Sequence, residues 1–246
     1  MGRLLAIIRV ILMALSMVIY MIVYSIKRIF IKHTPEQAFK LRRAWMKIGN
    51  PIMGNKVLIK GTSLNEPAIY MSNHRSFSDP LVQANAFDAF IIAKAEVSKI
   101  PIMNQAAKLT GIIYVKRESN QSRKATLETL LDTVKNGYNV LIYPEGTTGD
   151  QKLTKPFKFG AFKLAALNNI PIVPVALDYA KQRDLWIDRT MVSHFLMQYS
   201  KWTTDIKISV GPALRSSDPQ ELMQKTKDWI NDELIKIQDN WQERKE

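Results

Sequence analysis

An α/β domain, with a layered mixed sheet, helices on both faces and an N-terminal membrane-anchoring helix, is what this sequence predicts. Three observations carry the prediction. Short Ile- and Val-rich runs, bounded by Gly, Pro, Asn or Lys as strands are, recur along residues 55–210. Segments of helical character alternate with them, and such alternation builds a largely buried sheet covered by helices. Ahead of both stands one long apolar run, residues 4–26, interrupted only by Arg9 and two serines. The 246 residues suffice for one sizeable core plus an anchor.

As a helix the N-terminal run would reach roughly 34 Å, slightly more than a hydrocarbon core. Val10 to Tyr24 carries no charge, and Arg9 is expected to snorkel to the headgroups. A retained anchor is favoured over a signal peptide, because the run leads straight into Lys27-Arg28 with no small-residue cleavage site. Ala6 counts against N-myristoylation, since it stands where the motif wants Ser or Thr. From Lys27 to Lys60 nine Lys or Arg meet a single acid, Glu36, which predicts a cytoplasmic location for this flank and the domain behind it. Thr34-Pro35-Glu36 caps a helix over Thr34 to Asn50 that sets Phe39, Trp45 and Met46 among Lys40, Arg42, Arg43 and Lys47. Such a helix lies on anionic lipid or packs on the domain, and both readings stay open. Residues 1–54 are thus expected to form the anchor and basic amphipathic helix, and residues 55–246 the globular domain.

Within that domain, strands are predicted at Lys56–Lys60, Ala68–Ser72, Phe90–Lys94, Ile112–Lys116, Asn139–Tyr143, Ile172–Leu177 and Ile206–Val210. Pro174 falls at a ladder position of the sixth, which predicts an edge or a bulge. Helices are predicted at Pro80–Phe87, Lys99–Leu109, Arg123–Lys135, Phe159–Leu167 and Pro219–Gln242. In the last, Trp229, Ile230, Leu234, Ile237 and Trp241 recur as a packing face.

Lys and Arg number 35 against 22 Asp and Glu, a net charge of +13 that calls for an anionic partner. Because the charge gathers beside the apolar run and no RNA- or DNA-binding motif appears, that partner is an anionic membrane surface or a phosphorylated substrate, not nucleic acid. The absence of cysteine removes disulfides and thiolate metal sites. No His pair has ligand spacing, so no protein-bound metal is expected.

The chemistry-bearing segments sit at predicted strand ends. Asn73-His74-Arg75-Ser76-Phe77-Ser78-Asp79 offers His74 as a general base and Asp79 as the carboxylate that fixes its tautomer. Taken alone, the spacing fits equally well a turn in which Asp79 caps a helix starting at Pro80. His33 and His194 show no comparable partner. Gly111-Ile112-Ile113-Tyr114-Val115-Lys116-Arg117 ends in two cations suited to a phosphate. Pro144-Glu145-Gly146-Thr147 is a tight turn whose Glu145 is placed to accept from substrate hydroxyls. Ile172-Val173-Pro174-Val175-Ala176 reads as a pocket wall or core.

In this order, the four segments resemble the glycerolipid acyltransferase family, most narrowly the lysophosphatidic acid acyltransferases. The resemblance covers Lys56 to Leu177. It implies an acyltransferase domain over residues 55–246, working on a lysolipid acceptor with acyl-CoA or acyl-carrier protein as co-substrate and no bound cofactor. By position, His74 would deprotonate the acceptor hydroxyl and Asp79 would orient His74. Gly111 and Arg117, with Lys116 beside them, would lie at the acceptor's phosphate, and Glu145, Gly146 and Thr147 around its glycerol. Amides near the His74 turn would meet the developing oxyanion. One departure stands out: Thr148 occupies the place where family members acting on lysophosphatidic acid commonly carry Arg. That leaves Lys116, Arg117 and Lys158 to bind a phosphate and keeps a lyso-ornithine or other lyso-amino lipid as the alternative acceptor. Two readings from other classes are a non-catalytic lipid-binding membrane protein and a lipid hydrolase using Ser76 or Ser78, the latter lacking a Gly-x-Ser-x-Gly elbow.

Overall fold

The computed structural model describes residues 2–95, 107, 109–115, 119–186 and 190–242. All seven predicted strands form: β1 (Asn55–Lys60), β2 (Ile69–Ser72), β3 (Phe90–Lys94), β4 (Ile112–Val115), β5 (Val140–Ile142), β6 (Ile172–Tyr179) and β7 (Thr204–Val210). They build one sheet in the order β1-β7-β6-β2-β5-β3-β4. β6, β2, β5, β3 and β4 are mutually parallel; β7 runs antiparallel to β6, and β1 parallel to β7. The sheet is therefore mixed, as predicted.

Alternating residues feed two cores, as the pleat requires. One face buries Tyr70, Leu141, Val173 and Val175 with Phe87 and Leu185. The other buries Met71, Ile142 and Ile172 under Leu130, Phe162 and Leu222. These last three belong to α4 (Asn120–Lys135), α5 (Gly160–Leu167) and α7 (Pro219–Gln242). On α7, Ile230, Leu234 and Ile237 pack over Ala176, so its periodic face is core. The opposite side carries the short α3 (Asp79–Val82) and a 3-10 turn, Gln83–Asn85, where one helix was predicted. α4 begins three residues before its predicted start because Ser119 and Ser122 form a capping box. The helix predicted over Lys99–Leu109 falls almost wholly outside the described residues.

Of the two expectations for Pro174, the edge is not met and the bulge is. β6 is interior, and Pro174 pairs with Met71 on its parallel side. Its carbonyl accepts from Gly211 at 2.9 Å on the β7 side. There the register shifts from Val175↔Val210 to Ile172↔Leu214, one extra residue lying in the 210–214 segment. The bulge is in the partner, and Pro174's missing N–H faces the place where regular pairing has ended.

α1 (Gly2–Lys27) and α2 (Pro35–Met53) pack against each other and the domain. α2 starts with Thr34 accepting from the Gln37 amide and stops at Gly54 in the left-handed region. Of its two readings, packing is the observed one: Phe39, Trp45 and Met46 are buried, while Lys40 and Lys47 face out. Arg42 is buried too, donating to the carbonyls of Thr110 at 2.9 Å and Ala89 at 2.8 Å. Arg9 does not snorkel. Its guanidinium turns inward to the carbonyls of Tyr199 (3.2 Å), Lys201 (2.5 Å) and Trp202 (2.7 Å), stitching α1 to the segment after α6 (Met191–Gln198). Along its outer side α1 exposes Leu4, Ile11, Leu15, Ile19, Ile22 and Ile26.

Candidate active site

β2 and β5 are parallel neighbours with Met71 opposite Ile142. Three residues beyond that pair on each strand stand His74 and Glu145, so sheet register alone brings the two motifs together. Gly149 N donates to the His74 carbonyl at 2.8 Å, and His74 N donates to Glu145 Oε1 at 2.9 Å.

The His74 side chain lies against Tyr143, ring centroids 4.2 Å apart and nearly parallel. Its Nδ1 is 2.7 Å from Asp79 Oδ2. A carboxylate accepts only, so Nδ1 carries the proton and Nε2 is left as the base. The imidazole is 19% exposed and Asp79 fully buried, which puts a proton acceptor at the surface on a sealed support. Asp79 Oδ2 also accepts from the amides of Arg75 (2.6 Å) and Ser76 (2.9 Å), and Oδ1 from the Tyr179 hydroxyl (2.7 Å). It therefore does not cap the following helix; it closes the turn back onto His74.

Tyr179 was missed because the predicted strand stopped at Leu177. Burial, then the nearby Asp79 charge, pushes the Tyr179 pKa well up and keeps the hydroxyl a donor. Tyr179→Phe is expected to lose about 1.5–3 kcal/mol of stability, read by urea unfolding, and to lower turnover more than it raises KM. Asn73 was missed as well: its amide exchanges bonds with the Leu177 carbonyl and amide, both 2.8 Å, extending the β2–β6 ladder to the edge of the site.

Glu145 departs from its expected role. Oε1 is taken by the His74 amide and Oε2 by the Lys155 amide at 2.8 Å, with the residue buried. Burial raises its pKa, against those two amides and the charges of Arg75 and His74. It ties two loops together instead of facing a substrate hydroxyl. The amides of His74, Arg75 and Ser76 are likewise engaged by Glu145 and Asp79, so they are not the oxyanion donors expected of this turn.

Gly111 is placed away from the pair. It precedes β4, at the opposite end of the parallel strands, roughly 13 Å down a four-residue strand. Its φ is 76°, and a Cβ there would meet Phe39 Cε1 at 2.8 Å. The glycine serves a turn and the close approach of α2, not a phosphate. Gly111→Ala is expected to cost about 1–3 kcal/mol in thermal or urea unfolding while leaving KM for the acceptor unchanged. Lys116 and Arg117 lie outside the described residues. Gly146 (φ 74°) and exposed Thr147 stand in the turn beside His74, and the Thr148 hydroxyl donates to the Trp186 carbonyl at 2.8 Å.

His194 does have a partner: its Nε2 is 2.8 Å from Ser76 Oγ, which also lies 2.9 Å from Ser78 Oγ. Ser76 and His194 are fully buried and Ser78 shows only at the wall of a neighbouring cavity, its hydroxyl engaged with Ser76, Tyr179 and Gln198, a setting that argues against either serine as a hydrolytic nucleophile. Next to Ser78, an apolar cavity of about 520 Å³ opens between α1, α2, α3 and α6, lined by Ile11, Met17, Trp45, Phe77, Leu81 and Phe195 among others. No cluster of three His, Cys, Asp or Glu residues able to hold a metal occurs among the described residues.

Comparison with known proteins adds three findings. The chain is 34% identical over 116 residues to the chloroplastic 1-acyl-sn-glycerol-3-phosphate acyltransferase BAT2 of Brassica napus, covering 47% of this chain and 34% of that one. It is 32% identical over 146 residues to the 1-acyl-sn-glycerol-3-phosphate acyltransferase of Borreliella burgdorferi (57% and 58%), and 29% over 143 residues to the lyso-ornithine lipid O-acyltransferase of Pseudomonas aeruginosa (58% and 55%). The matched region thus spans between a third and three fifths of these relatives. The fold matches the crystal structure of the 1-acyl-sn-glycerophosphate acyltransferase PlsC from Thermotoga maritima, with a TM-score of 0.68, 19% identity, and coverage of 94% and 97%. The family model Acyltransferase matches residues 53–178, just over half of the sequence and the whole of the His74–Asp79 site, and the chain belongs to that family.

Proposed function

We propose that this protein is a membrane-bound O-acyltransferase that moves a fatty acyl group from a thioester donor to the free hydroxyl of lysophosphatidic acid, giving phosphatidic acid. The observation that carries the reading is the His74 Nδ1–Asp79 Oδ2 bond of 2.7 Å, which aims the other face of the imidazole outward from a buried carboxylate. An alcohol is a poor nucleophile at neutral pH, and Nε2 takes its proton as the oxygen bonds to the thioester carbonyl carbon. Asp79 stabilises the imidazolium so formed. Collapse of the tetrahedral intermediate breaks the C–S bond, and the imidazolium returns its proton to the departing sulfur. The base is already in place, so no acyl-enzyme is needed. The apolar cavity lined by Phe77 and Ser78, from the same turn as the dyad, offers room for a hydrocarbon chain.

α1 supports association with a membrane: it is 26 residues long, apolar and mostly exposed. It is bound to α2, α6 and the segment beyond through Arg9, Ala6 and Met17. Lifting α1 into a full transverse span would break those contacts, which supports a helix lying in one leaflet; the basic flank from Lys27 to Lys60 supports placing the domain at the cytoplasmic face, against anionic lipid. The donor is acyl-CoA or acyl-carrier protein. Thr148, with its hydroxyl committed to Trp186, favours a second acceptor class, the lyso-amino lipids, as do relatives named lyso-ornithine lipid O-acyltransferase.

The test is to offer detergent-solubilised protein a panel of lysolipids with each thioester donor and identify products by mass. Phosphatidic acid formed only when lysophosphatidic acid and donor are both present is the expected result. Acylation confined to lyso-ornithine lipid would move the acceptor assignment, and no acylated product from any pair would defeat the enzyme reading.

A further inference from the structure

Across the sheet from the apolar cavity, a second cavity of about 550 Å³ opens between α4 and α5. Its floor is apolar, from Leu127, Leu130 and Ile142, and its wall is Tyr143-Pro144, the segment that leads into Glu145. Two exposed cations sit on it: Arg123 from the first turn of α4 and Lys158 from just before α5. Lys158 is tied to the site by its main chain, its amide donating to the Pro144 carbonyl at 2.9 Å. Its ammonium lies over Gly146, in the space that a Cβ at that position would occupy. Glu145, one residue earlier, holds the His74 amide. A cation is thus carried by the same turn that positions the base.

We propose that Lys158, with Arg123 across the same cavity, binds the phosphate of the acceptor in place of the guanidinium that Thr148 does not supply. The assignment rests on the proposed acyl transfer and decides between its two acceptor classes. A phosphomonoester carries close to two negative charges at neutral pH and suits two cations, one a point charge and one a planar fork. A lyso-ornithine lipid brings an ammonium beside a single carboxylate, a headgroup of no net charge that the same pair holds less strongly than a phosphomonoester.

The experiment titrates lysophosphatidic acid and the uncharged monoacylglycerol of the same chain against wild type, Lys158→Gln, Arg123→Gln and Lys158→Arg, following intrinsic tryptophan fluorescence in one detergent. The same four proteins are then assayed for KM of lysophosphatidic acid and of acyl-CoA and acyl-carrier protein. Wild type is expected to prefer the phosphate-bearing ligand by about tenfold or more, as charge-assisted bonds allow. Each Gln variant should lose most of that preference and show a matching rise in acceptor KM, with kcat and donor KM within about twofold and Lys158→Arg close to wild type. A preference left intact by both Gln variants overturns the proposal. So does a rise confined to donor KM, which would hand the two cations to the donor's pantetheine phosphate. Wild type that binds both ligands equally overturns it without reference to turnover. Turnover with unshifted acceptor KM in the variants sinks this assignment alone, and absence of turnover in wild type sinks the acyltransferase reading instead.

Discussion

His74→Ala should reduce turnover by about 10²- to 10⁴-fold, the range lost when a positioned general base is removed. KM for both substrates should move little, because the imidazole acts on the proton in flight and not on either ground state. The fold should survive. Asp79 keeps the Arg75 and Ser76 amides and the Tyr179 hydroxyl after the ring is gone, and the His74 backbone keeps its bonds to Glu145 and Gly149. Initial rates with lysophosphatidic acid and a thioester, set beside thermal unfolding of the same sample, separate the two effects. A variant that folds normally and retains more than a tenth of wild-type turnover would remove His74 from the mechanism. Asp79→Asn offers a different readout. The Asn amide cannot satisfy Nδ1–H, the Arg75 and Ser76 amides and the Tyr179 hydroxyl at once, so turnover and stability should fall together.

Strand positions were readable because each strand is a compact apolar run with turn residues at both ends, and seven of seven formed. Strand order was not, since it depends on which ladders close. The His74–Asp79 spacing was readable as a chemical pair because both groups lie in one turn. The support behind it was not: Tyr179 follows His74 by more than a hundred residues and reaches Asp79 only because β6 lies beside β2. Glu145 was misjudged for a related reason. A carboxylate in a Gly-rich turn reads as a ligand, but parallel pairing of β2 with β5 points it at the His74 amide. α6 escaped detection because it is only eight residues long, although Thr190 is a sound cap that accepts from the Ser193 amide. Arg9 read as a lipid-facing cation and Arg42 as one facing lipid or solvent from charge pattern alone, yet both fill carbonyl-lined sites that only the tertiary fold creates.

Arg75 is the residue whose loss should harm stability most, although its neighbours in the motif draw attention first. It is 2% exposed and lies 3.5 Å from Asp178. Its guanidinium also donates to the carbonyls of Gly149 (3.3 Å), Gln151 (2.5 Å) and Lys152 (3.1 Å), pinning the loop that follows the Pro-Glu-Gly-Thr turn. Arg75→Met keeps the length and apolar stem but leaves one buried carbonyl (Gly149), two part-buried carbonyls (Gln151 and Lys152) and one buried carboxylate without their cation. Breaking a buried pair from one side costs about 3–5 kcal/mol, and a drop of that size is expected in urea unfolding at neutral pH. The deficit should depend on pH with a definite sign. Burial already raises the Asp178 pKa, with Arg75 the leading opposing influence, so removing Arg75 raises it further. Between the ordinary carboxylate range and that higher value the folded variant holds a proton that the unfolded chain has released. Its stability therefore falls as pH rises through this window and recovers on acidification. Urea midpoints at pH 5 and pH 7 should show a smaller gap from wild type at the lower pH, and adding Asp178→Asn should flatten the difference. A gap that is constant with pH, or wider at pH 5, would show that Arg75 works through the loop carbonyls alone and that its pairing with Asp178 contributes nothing.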